Sequence, residues 1–326
     1  MCFGYDGEAA LRRSLVEKGA PRRHVLRGAA AGVAAVGVAG GLAAGAGAAA
    51  AAAPGERPGE RRGHSRQRSV PHDRISIQLY TLRAALGGQP GFDVVLQRLA
   101  QYGYEKVELA GYYGRTATEL RRFLRGLGIK ATSSHDGISA TPAALSTKLE
   151  NAAILGQRYV VVPYLNSATR ADWERWADQM NAEARQARRW GLRYGYHNHA
   201  HEFTTDLGGG VTPWEILMER LDPRLVHLEV DLYWAFTAGV NLGVADPDRF
   251  AIDVVRRAPL QVRQFHVKDR DAQTGDMADL GTGVVDFPRI FRSHTVEEYI
   301  VENDNPDVSP LTSAAVGHLY LDHLDY

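Results

Sequence analysis

The strongest constraint on the fold of this chain is a regular alternation of short apolar runs and longer amphipathic runs over residues 74–326. The short runs have the length and the two-residue period of β-strands, whereas the longer runs have the spacing of helices. Eight strand–helix units in succession favour a closed parallel barrel over an open sheet. Such a barrel takes roughly 250 residues, which matches this stretch. We therefore predict an α/β fold of the (β/α)8 TIM barrel type.

The predicted strands are Ile75–Tyr80, Tyr104–Leu109, Ile129–Ser134, Tyr159–Pro163, Leu192–His197, Leu225–Asp231, Val262–Lys268 and Glu298–Glu302. The predicted helices include Phe92–Tyr102, Ala117–Leu127, Pro142–Leu155, Ala171–Trp190, Pro213–Leu221, Pro247–Arg257 and Leu311–Leu324. Glycines follow three of these helices directly, as expected of C-terminal stops: Gly103, Gly128 and Gly191. No Gly-x-Gly-x-x-Gly motif follows the first strand, so the sequence gives dinucleotide binding little support.

Residues 1–53 are expected to lie outside the fold. Arg22-Arg23-His24-Val25-Leu26-Arg27 is a twin-arginine pattern, and a weakly apolar run rich in Ala, Gly and Val follows it. This order is typical of an export signal, so we expect cleavage near Ala50 to Ala53 and a periplasmic or extracellular location. A retained membrane anchor is the alternative, although Ala and Gly give weak hydrophobicity for a bilayer segment. Residues 54–73, rich in Pro, Gly, Arg and Ser, are interpreted as a disordered linker.

Charge and cysteine content limit the possible partners. Residues 1–72 hold 11 Lys and Arg against 5 Asp and Glu, which leaves 27 and 33 in the remaining chain and a net charge of −6 there. A mildly acidic domain without a basic stripe argues against a nucleic-acid partner. The single cysteine, Cys2, lies in the predicted signal, so the exported domain would have no disulfide. We expect no stable membrane insertion after cleavage, and a homo-oligomer is possible.

Arg193–Phe203 is the most distinctive segment, because three histidines and a glutamate follow a predicted strand. Side chains alternate faces along a strand, so His197 and His199 point the same way. A His-rich surface loop is the alternative interpretation. Three later predicted strands end in residues of the same kind: Asp231, His266 and Glu302. Four such strand ends indicate a divalent-metal site at the end of the barrel where catalytic residues concentrate.

Alternation within the strands predicts a polar barrel interior. Helices cover the outer face of each strand, so the apolar alternate residues face outward and the polar ones inward. The inward set includes Ser76, Gln78, Tyr80, His227, Glu229, Asp231, Gln264, His266 and Lys268. Burial of so many ionisable groups is costly unless they are paired or bind metal. Internal ion pairs alone are the alternative to a metal site.

Seven motifs carry a resemblance to a known family: Gln78-Leu79-Tyr80-Thr81-Leu82-Arg83, Val107-Glu108-Leu109, Tyr196-His197-Asn198-His199, Glu229-Val230-Asp231, Phe265-His266-Val267-Lys268-Asp269, Gly281-Thr282-Gly283-Val284-Val285-Asp286-Phe287 and Val301-Glu302-Asn303-Asp304. Together they resemble the sugar phosphate isomerase/epimerase family of xylose-isomerase-like barrels, a superfamily that also includes inosose dehydratases and endonuclease IV. The resemblance covers nearly all of Arg74–Tyr326. It is specific for the superfamily and leaves the substrate open.

The resemblance implies a metal set of Glu, Asp, His and Glu at the ends of strands five to eight. It carries over directly to Asp231, His266 and Glu302, and His197 stands where many relatives have glutamate. In the epimerases that glutamate is also a base, so its replacement weakens a mechanism with two glutamates. The segment Phe287–Glu297 is shorter than the family's seventh helix, so we expect a reduced helix there.

Two imidazoles and two carboxylates suit Mn, Co, Zn or Fe better than Mg, which prefers oxygen ligands. Such an ion would bind a ketone and a neighbouring hydroxyl of a sugar and would stabilise the enediolate formed when a proton leaves the adjacent carbon. Isomerisation, epimerisation and β-elimination share that step. The candidate bases are Glu302, His135 and Glu108, although substrate or supporting hydrogen bonds are the alternative for the last two.

Lys268 lies on the same strand face as His266, so it would neutralise developing charge or hold a substrate oxygen. Pairing with Asp269 or Glu229 is its structural alternative. Substrate contacts are expected from Gln78, Tyr80, His199 and Trp234, whose aromatic members would supply flat walls for a sugar ring.

We therefore predict an exported, divalent-metal-dependent isomerase or epimerase acting on a small sugar or keto-sugar. The alternative is a metal-dependent lyase or dehydratase acting on a 3-keto-glycoside or keto-inositol, which His197 in place of glutamate favours. Two further classes are weaker. Phosphodiester cleavage as in endonuclease IV needs more metal ligands and a basic groove, and a non-catalytic sugar-binding barrel would follow if one altered ligand ended activity.

Overall fold

The computed structural model describes residues 68–326, so the predicted signal and most of the predicted linker lie outside the described residues. Eight parallel strands form the barrel: β1 Ile75–Gln78, β2 Lys106–Leu109, β3 Lys130–Ser134, β4 Tyr159–Val162, β5 Arg193–His197, β6 Val226–Asp231, β7 Val262–Val267 and β8 Glu298–Val301. Each lies within two residues of its predicted bounds. A short antiparallel ribbon, Asp269–Arg270 with Met277–Ala278, follows β7.

The helices are α1 Arg83–Gly87, α2 Phe92–Gln101, α3 Ala117–Gly126, α4 Pro142–Leu155, α5 Arg170–Arg189, α6 His201–Thr204, α7 Pro213–Arg220, α8 Leu232–Asn241, α9 Pro247–Arg257, α10 Phe287–Ser293 and α11 Pro310–Asp322. Two 3₁₀ helices, His72–Arg74 and Leu79–Leu82, flank β1. Local sequence explains several helix starts. Thr116 and Thr212 cap α3 and α7, each with a glutamate three residues later that completes the capping box.

The sheet order confirms the predicted parallel barrel. Neighbouring strands pair in the order β3, β2, β1, β8, β7, β6, β5, β4. Between β3 and β4 the barrel is nearly closed, because His135 forms a parallel bridge with Val161 and the amide of Asp136 donates to the carbonyl of Val161 at 2.8 Å. All eight carboxyl strand ends therefore lie at one mouth.

The predicted division into an apolar outside and a polar inside is confirmed. Outward residues of the strands, such as Val107, Val230 and Phe265, belong to the core packed against the helices. Tyr80 is the exception, because it lies outside the strand and is exposed; the other predicted inward residues are all buried: Ser76, Gln78, His227, Glu229, Asp231, Gln264, His266 and Lys268. A register shift between β6 and β7 helps to set this arrangement, because Leu228 pairs with Val262 whereas Glu229 pairs with Gln264.

Several local expectations need correction. The predicted strand Ile75–Tyr80 ends at Gln78, and Tyr80 lies in the following 3₁₀ helix with 46% of its surface exposed. Helix α8, which begins directly after Asp231, was not among the predicted helices; seven of its ten residues are buried, so its sequence has only a weak amphipathic pattern. The expected short helix in Phe287–Glu297 is confirmed as α10.

The barrel domain begins slightly before residue 74. Ser69, in the predicted linker, forms an antiparallel bridge with Asp325, and Val70 is buried. These residues are therefore packed on the barrel and do not belong to a disordered linker. No helix within residues 68–326 is both long enough and apolar enough to cross a bilayer.

Candidate metal centre

The four predicted metal ligands converge at the carboxyl mouth of the barrel. His197 ends β5, Asp231 ends β6, His266 is near the end of β7 and Glu302 directly follows β8. All four are buried, and one donor atom of each lies within 4.8 Å of the others. Donors bound at about 2.1 Å to one ion lie roughly 3–4 Å apart. Small side-chain adjustments would therefore bring all four onto a common ion.

The donor atoms point to the same region. His266 Nδ1 is 2.5 Å from Glu302 Oε2, and His197 Nε2 is 3.6 Å from Asp231 Oδ2. Asp231 Oδ1 accepts a hydrogen bond from the backbone amide of Trp234, so the start of α8 fixes this carboxylate. Its other oxygen, Oδ2, is buried 2.9 Å from the Lys268 ammonium and receives no well-aligned hydrogen bond from the described residues. A metal ion bound among the four donors would be a further partner for this oxygen.

Carboxylates behind the two histidines support their rings. Glu229 Oε1 lies 3.3 Å from His197 Nδ1 and 3.0 Å from His266 Nε2, and Glu108 Oε2 lies 2.7 Å from the same His266 nitrogen. Burial disfavours an imidazolium, but Glu229, Glu302 and Glu108 raise the pKa of His266 well above its usual range. Burial also lowers the pKa of His197 to about 4, with His266 adding to the effect. Without a metal ion, His266 therefore carries charge at neutral pH and His197 does not.

Lys268 lies inside the same cluster. Its ammonium Nζ is 2.9 Å from Asp231 Oδ2, 2.6 Å from Glu302 Oε2 and 2.9 Å from Asp304 Oδ2. The suggested pairing with Asp269 or Glu229 is wrong, because Asp269 instead accepts backbone hydrogen bonds from Gly281, Gly283 and Val285. Although burial disfavours the ammonium, the three carboxylates raise the pKa of Lys268 well above its usual value.

The charges of the cluster fit a divalent cation. Five carboxylates lie at the mouth or directly below it, namely Glu108, Glu229, Asp231, Glu302 and Asp304. Lys268 and His266 balance part of that negative charge. A dication would balance more of it and would free His266 to bind as a neutral imidazole. The residues present thus fit a metal ion, and the buried cluster could hold one.

The candidate bases occupy two different positions. Side-chain exposure of His135 is 12%, and its ring stacks on His266 with 5.1 Å between centroids. Burial opposes its charge, but Glu108 and Glu229 raise the pKa of His135. Glu108 lies deeper, where it accepts hydrogen bonds from Gln78 Nε2 at 2.8 Å and Ser133 Oγ at 2.6 Å. Gln78 and Glu108 therefore support His266 from below, and His135 lies nearer the mouth.

The remaining predicted substrate residues surround the entrance. The His199 ring lies 5.1 Å from that of His197 and 5.3 Å from that of Trp234, with exposed Tyr164 on its outer side. Among the described residues, His199 Nδ1 and Trp234 Nε1 are buried without hydrogen-bond partners. An unpaired buried polar group costs about 1–3 kcal/mol, so a ligand hydroxyl at this position would be favourable. Tyr80 is on the rim, where the Arg83 guanidinium stacks 4.1 Å from its ring centre.

The structure also identifies two residues that the sequence did not single out as part of the site. Glu229 was recognisable as an inward residue, but nothing in the strand pattern indicated that it contacts three histidines. Asp304 follows β8 in an irregular segment, so no periodicity assigned it to Lys268. Elsewhere, a surface groove of about 500 Å³ lies between α4 and α5 and is lined by residues such as Pro142, Leu145 and Trp190. It lies in the outer helical layer, away from these residues.

Comparisons with known proteins agree with this geometry. The family described as xylose isomerase-like TIM barrel matches residues 96–293. An inosose dehydratase from Bacillus licheniformis is 28% identical over 180 residues, which cover 47% of this chain and 55% of that protein. The match thus spans little more than half of the relative's length.

Two solved structures are similar in fold. A sugar phosphate isomerase/epimerase from Parabacteroides distasonis gives a TM-score of 0.64 at 22% identity, with 78% of this chain and 94% of that chain covered. The IolI protein with a zinc atom gives a TM-score of 0.57 at 13% identity, with coverage of 76% and 95%. At these identities the likeness shows a shared fold. Since the family match alone covers more than half of the sequence, the chain belongs to the xylose isomerase-like TIM barrel family.

Proposed function

We propose that this protein is a divalent-metal-dependent enzyme that isomerises or epimerises a small sugar or keto-sugar. The observation that carries the proposal is the convergence of His197, Asp231, His266 and Glu302, with donor atoms within 4.8 Å of one another at the mouth where barrel enzymes carry out their chemistry. The cluster contains two imidazoles and two carboxylates, so Mn, Co, Zn or Fe is the proposed ion in preference to Mg.

When bound, the ion would act as a Lewis acid on a ketone and a neighbouring hydroxyl, which makes a proton on the adjacent carbon easier to remove. The protein residues would move that proton. Burial opposes the charge of Glu302, but Lys268 and His266 lower its pKa well below the usual value, so it is ionised and able to accept a proton. His135, with its raised pKa, is the proposed proton donor on the other side.

The entrance supports an uncharged carbohydrate as substrate. Trp234 and Tyr164 offer aromatic rings beside the centre. The buried nitrogens His199 Nδ1 and Trp234 Nε1 have no hydrogen-bond partner among the described residues, and substrate hydroxyls would pair with them after a movement of the entrance side chains. No sequence motif resembles a dedicated phosphate-binding loop. We therefore propose an unphosphorylated sugar.

A lyase or dehydratase acting on a 3-keto-glycoside or keto-inositol is the second candidate. His197 occupies the strand end where the epimerases carry a catalytic glutamate, which favours a reaction with a single carboxylate base. The similarity to an inosose dehydratase over 180 residues supports the same choice. Both candidates begin with loss of the same proton and differ in whether a leaving group departs.

The discriminating experiment is incubation of the metal-loaded protein in D2O with free ketoses and with 3-keto-glycosides, followed by mass spectrometry. Deuterium uptake next to the carbonyl without loss of an aglycone or water is the expected result. Release of either product would refute the isomerase and support the lyase. Glu302→Gln should abolish the exchange, whereas Glu298→Gln, a buried carboxyl lower in the barrel that contacts Thr132 and Gln264, should retain it.

We also propose export through the twin-arginine pathway, on the basis of the Arg22-Arg23 pair and the Ala/Gly-rich run that follows it. Replacement of both arginines by lysine should retain the protein inside the cell, as measured by fractionation. An unchanged distribution of the double variant would contradict this proposal without bearing on the enzyme activity.

A further inference from the structure

Glu229 contacts three histidines, and none of the roles proposed above accounts for these contacts. Its Oε1 atom lies 2.8 Å from His135 Nε2, 3.0 Å from His266 Nε2 and 3.3 Å from His197 Nδ1. The carboxylate is fully buried, and its Oε2 atom has no hydrogen-bond partner among the described residues. A single oxygen thus lies against three imidazole rings from β3, β5 and β7.

The strand register places Glu229 there. It is directly opposite His197 in the β5–β6 pairing, and it lies two residues before Asp231 on the same inward face. Asp231, in turn, is opposite His266. One strand therefore supplies a carboxylate at the mouth, beside the candidate metal position, and a second carboxylate that is level with His197 and one inward position below His266.

The contacts have different consequences for the two candidate ligands. A carboxylate accepts hydrogen bonds, so the ring nitrogen that faces Glu229 carries the proton. In His197 that nitrogen is Nδ1, which leaves the Nε2 lone pair toward Asp231. In His266 it is Nε2, which Glu108 also faces at 2.7 Å; with that proton held, only Nδ1, which faces Glu302, can release its proton and bind a metal ion. The two histidines thus need opposite tautomers to present their lone pairs to one centre.

We propose that Glu229 is a positioning residue that selects these opposite tautomers and ring orientations, so that His197 Nε2 and His266 Nδ1 face the same metal ion. Partners of this kind raise ligand basicity and fix ring orientation, and their loss typically weakens metal affinity 10–100-fold. The inference rests on the proposed metal-dependent function and on the ion lying among His197, Asp231, His266 and Glu302. The alternative group His135, His197, Glu229 and His266 also has donor atoms within 4.8 Å of one another, and in it Glu229 would be a ligand.

The first test is a titration of the metal-free protein with Zn²⁺ and Mn²⁺ by isothermal calorimetry. Glu229→Gln should weaken binding by about 10–100-fold. Glu229→Asp, which keeps the charge on a shorter side chain, should recover part of that loss. Glu298→Gln is the matched control, because it removes a buried carboxyl from the same barrel interior without a histidine partner and should leave metal affinity unchanged. Equal affinities of the Glu229→Gln variant and the unchanged protein would overturn the proposal.

The second test uses the unchanged protein, so it does not depend on whether a variant folds. Long-range ¹H–¹⁵N spectra of protein with labelled histidine report which ring nitrogen carries a proton. His197 should be the Nδ1–H tautomer in the metal-free protein, and the zinc-loaded protein should show bonding through His197 Nε2 and His266 Nδ1. The Nε2–H tautomer at His197 would overturn the role of Glu229. Failure of the unchanged protein to bind any divalent ion would instead refute the proposed function and leave the His197 tautomer as a separate result.

Discussion

Replacement of Lys268 by methionine tests whether the mouth of the barrel is built for a divalent cation. The Lys268 ammonium lies within 2.9 Å of carboxylate oxygens from Asp231, Glu302 and Asp304. Methionine has a similar length but no charge, so the variant leaves these buried carboxylates without their lysine partner. Removal of one partner from a buried ion pair typically costs about 3–5 kcal/mol. For a domain of this size that corresponds to a decrease in Tm of roughly 6–20 °C.

A divalent ion should reverse that loss. It would bind the Asp231 and Glu302 carboxylates that Lys268 otherwise neutralises, and it would no longer be repelled by the ammonium. Ligand binding at 100 times its Kd stabilises a protein by about 2.7 kcal/mol. We therefore expect Zn²⁺ or Mn²⁺ to raise the Tm of Lys268→Met by more than it raises the Tm of the unchanged protein, as measured by thermal and urea unfolding with and without metal.

Lys148→Met is the matched control for this prediction. Lys148 is also largely buried and bonds Glu183 at 2.6 Å, but it lies outside the metal centre. This variant should lose stability, and metal should not restore it. The reasoning is refuted if Lys268→Met is as stable as the unchanged protein without metal, or if metal raises the Tm of both proteins by the same amount.

Three further predictions concern the entrance, the base of the barrel and its interior. Trp234→Phe keeps an aromatic, though smaller, ring and removes the Nε1 donor, so it should raise KM for the sugar in steady-state kinetics while metal affinity stays unchanged. At the amino end of the barrel, partial burial disfavours the Glu297 carboxylate, but a hydrogen bond from Tyr159 and the nearby arginines lower the pKa of Glu297 to about 2. Because the folded-state pKa is depressed, the stabilisation is present above the ordinary glutamate pKa and is lost as the pH falls from about 4.5 toward 2. In Glu297→Gln, the free energy of unfolding measured with urea should therefore fall less steeply over this pH range. An unchanged pH dependence would contradict this prediction. Gly195→Ala would place a Cβ atom 2.6 Å from the buried His227 ring, so it should destabilise the domain by about 1–3 kcal/mol in the same unfolding assay, and a neutral effect would show that the ring can move aside.

Some residues of the candidate metal centre can be recognised from the sequence, whereas the position of others cannot. Asp231, His266 and Glu302 are recognisable because each lies at or next to the end of a run with the two-residue period of a strand. Tyr80 continues such a run, but the chain turns into a 3₁₀ helix after Gln78, whose side chain accepts a hydrogen bond from the Tyr80 amide at 2.9 Å. That local bond ends the strand and places Tyr80 on the rim.

Periodicity is a local property of the chain, and it was sufficient to predict the barrel, its strand bounds to within two residues and its polar interior. Repetition of one strand–helix unit has few compact solutions, so eight units imply parallel strand ends that meet at one mouth. The sequence therefore identified which strand ends carry side chains that could hold a metal ion.

Contacts between strands depend on register, which no single segment encodes. The shift between β6 and β7 sets Asp231 opposite His266, and the β5–β6 register sets Glu229 opposite His197. Only the tertiary structure could thus decide that one oxygen of Glu229 contacts three histidines and that Lys268 lies among Asp231, Glu302 and Asp304. The physical reason is that these distances follow from how separate strands are aligned and twisted against one another, whereas the sequence pattern specifies only the face on which each side chain lies.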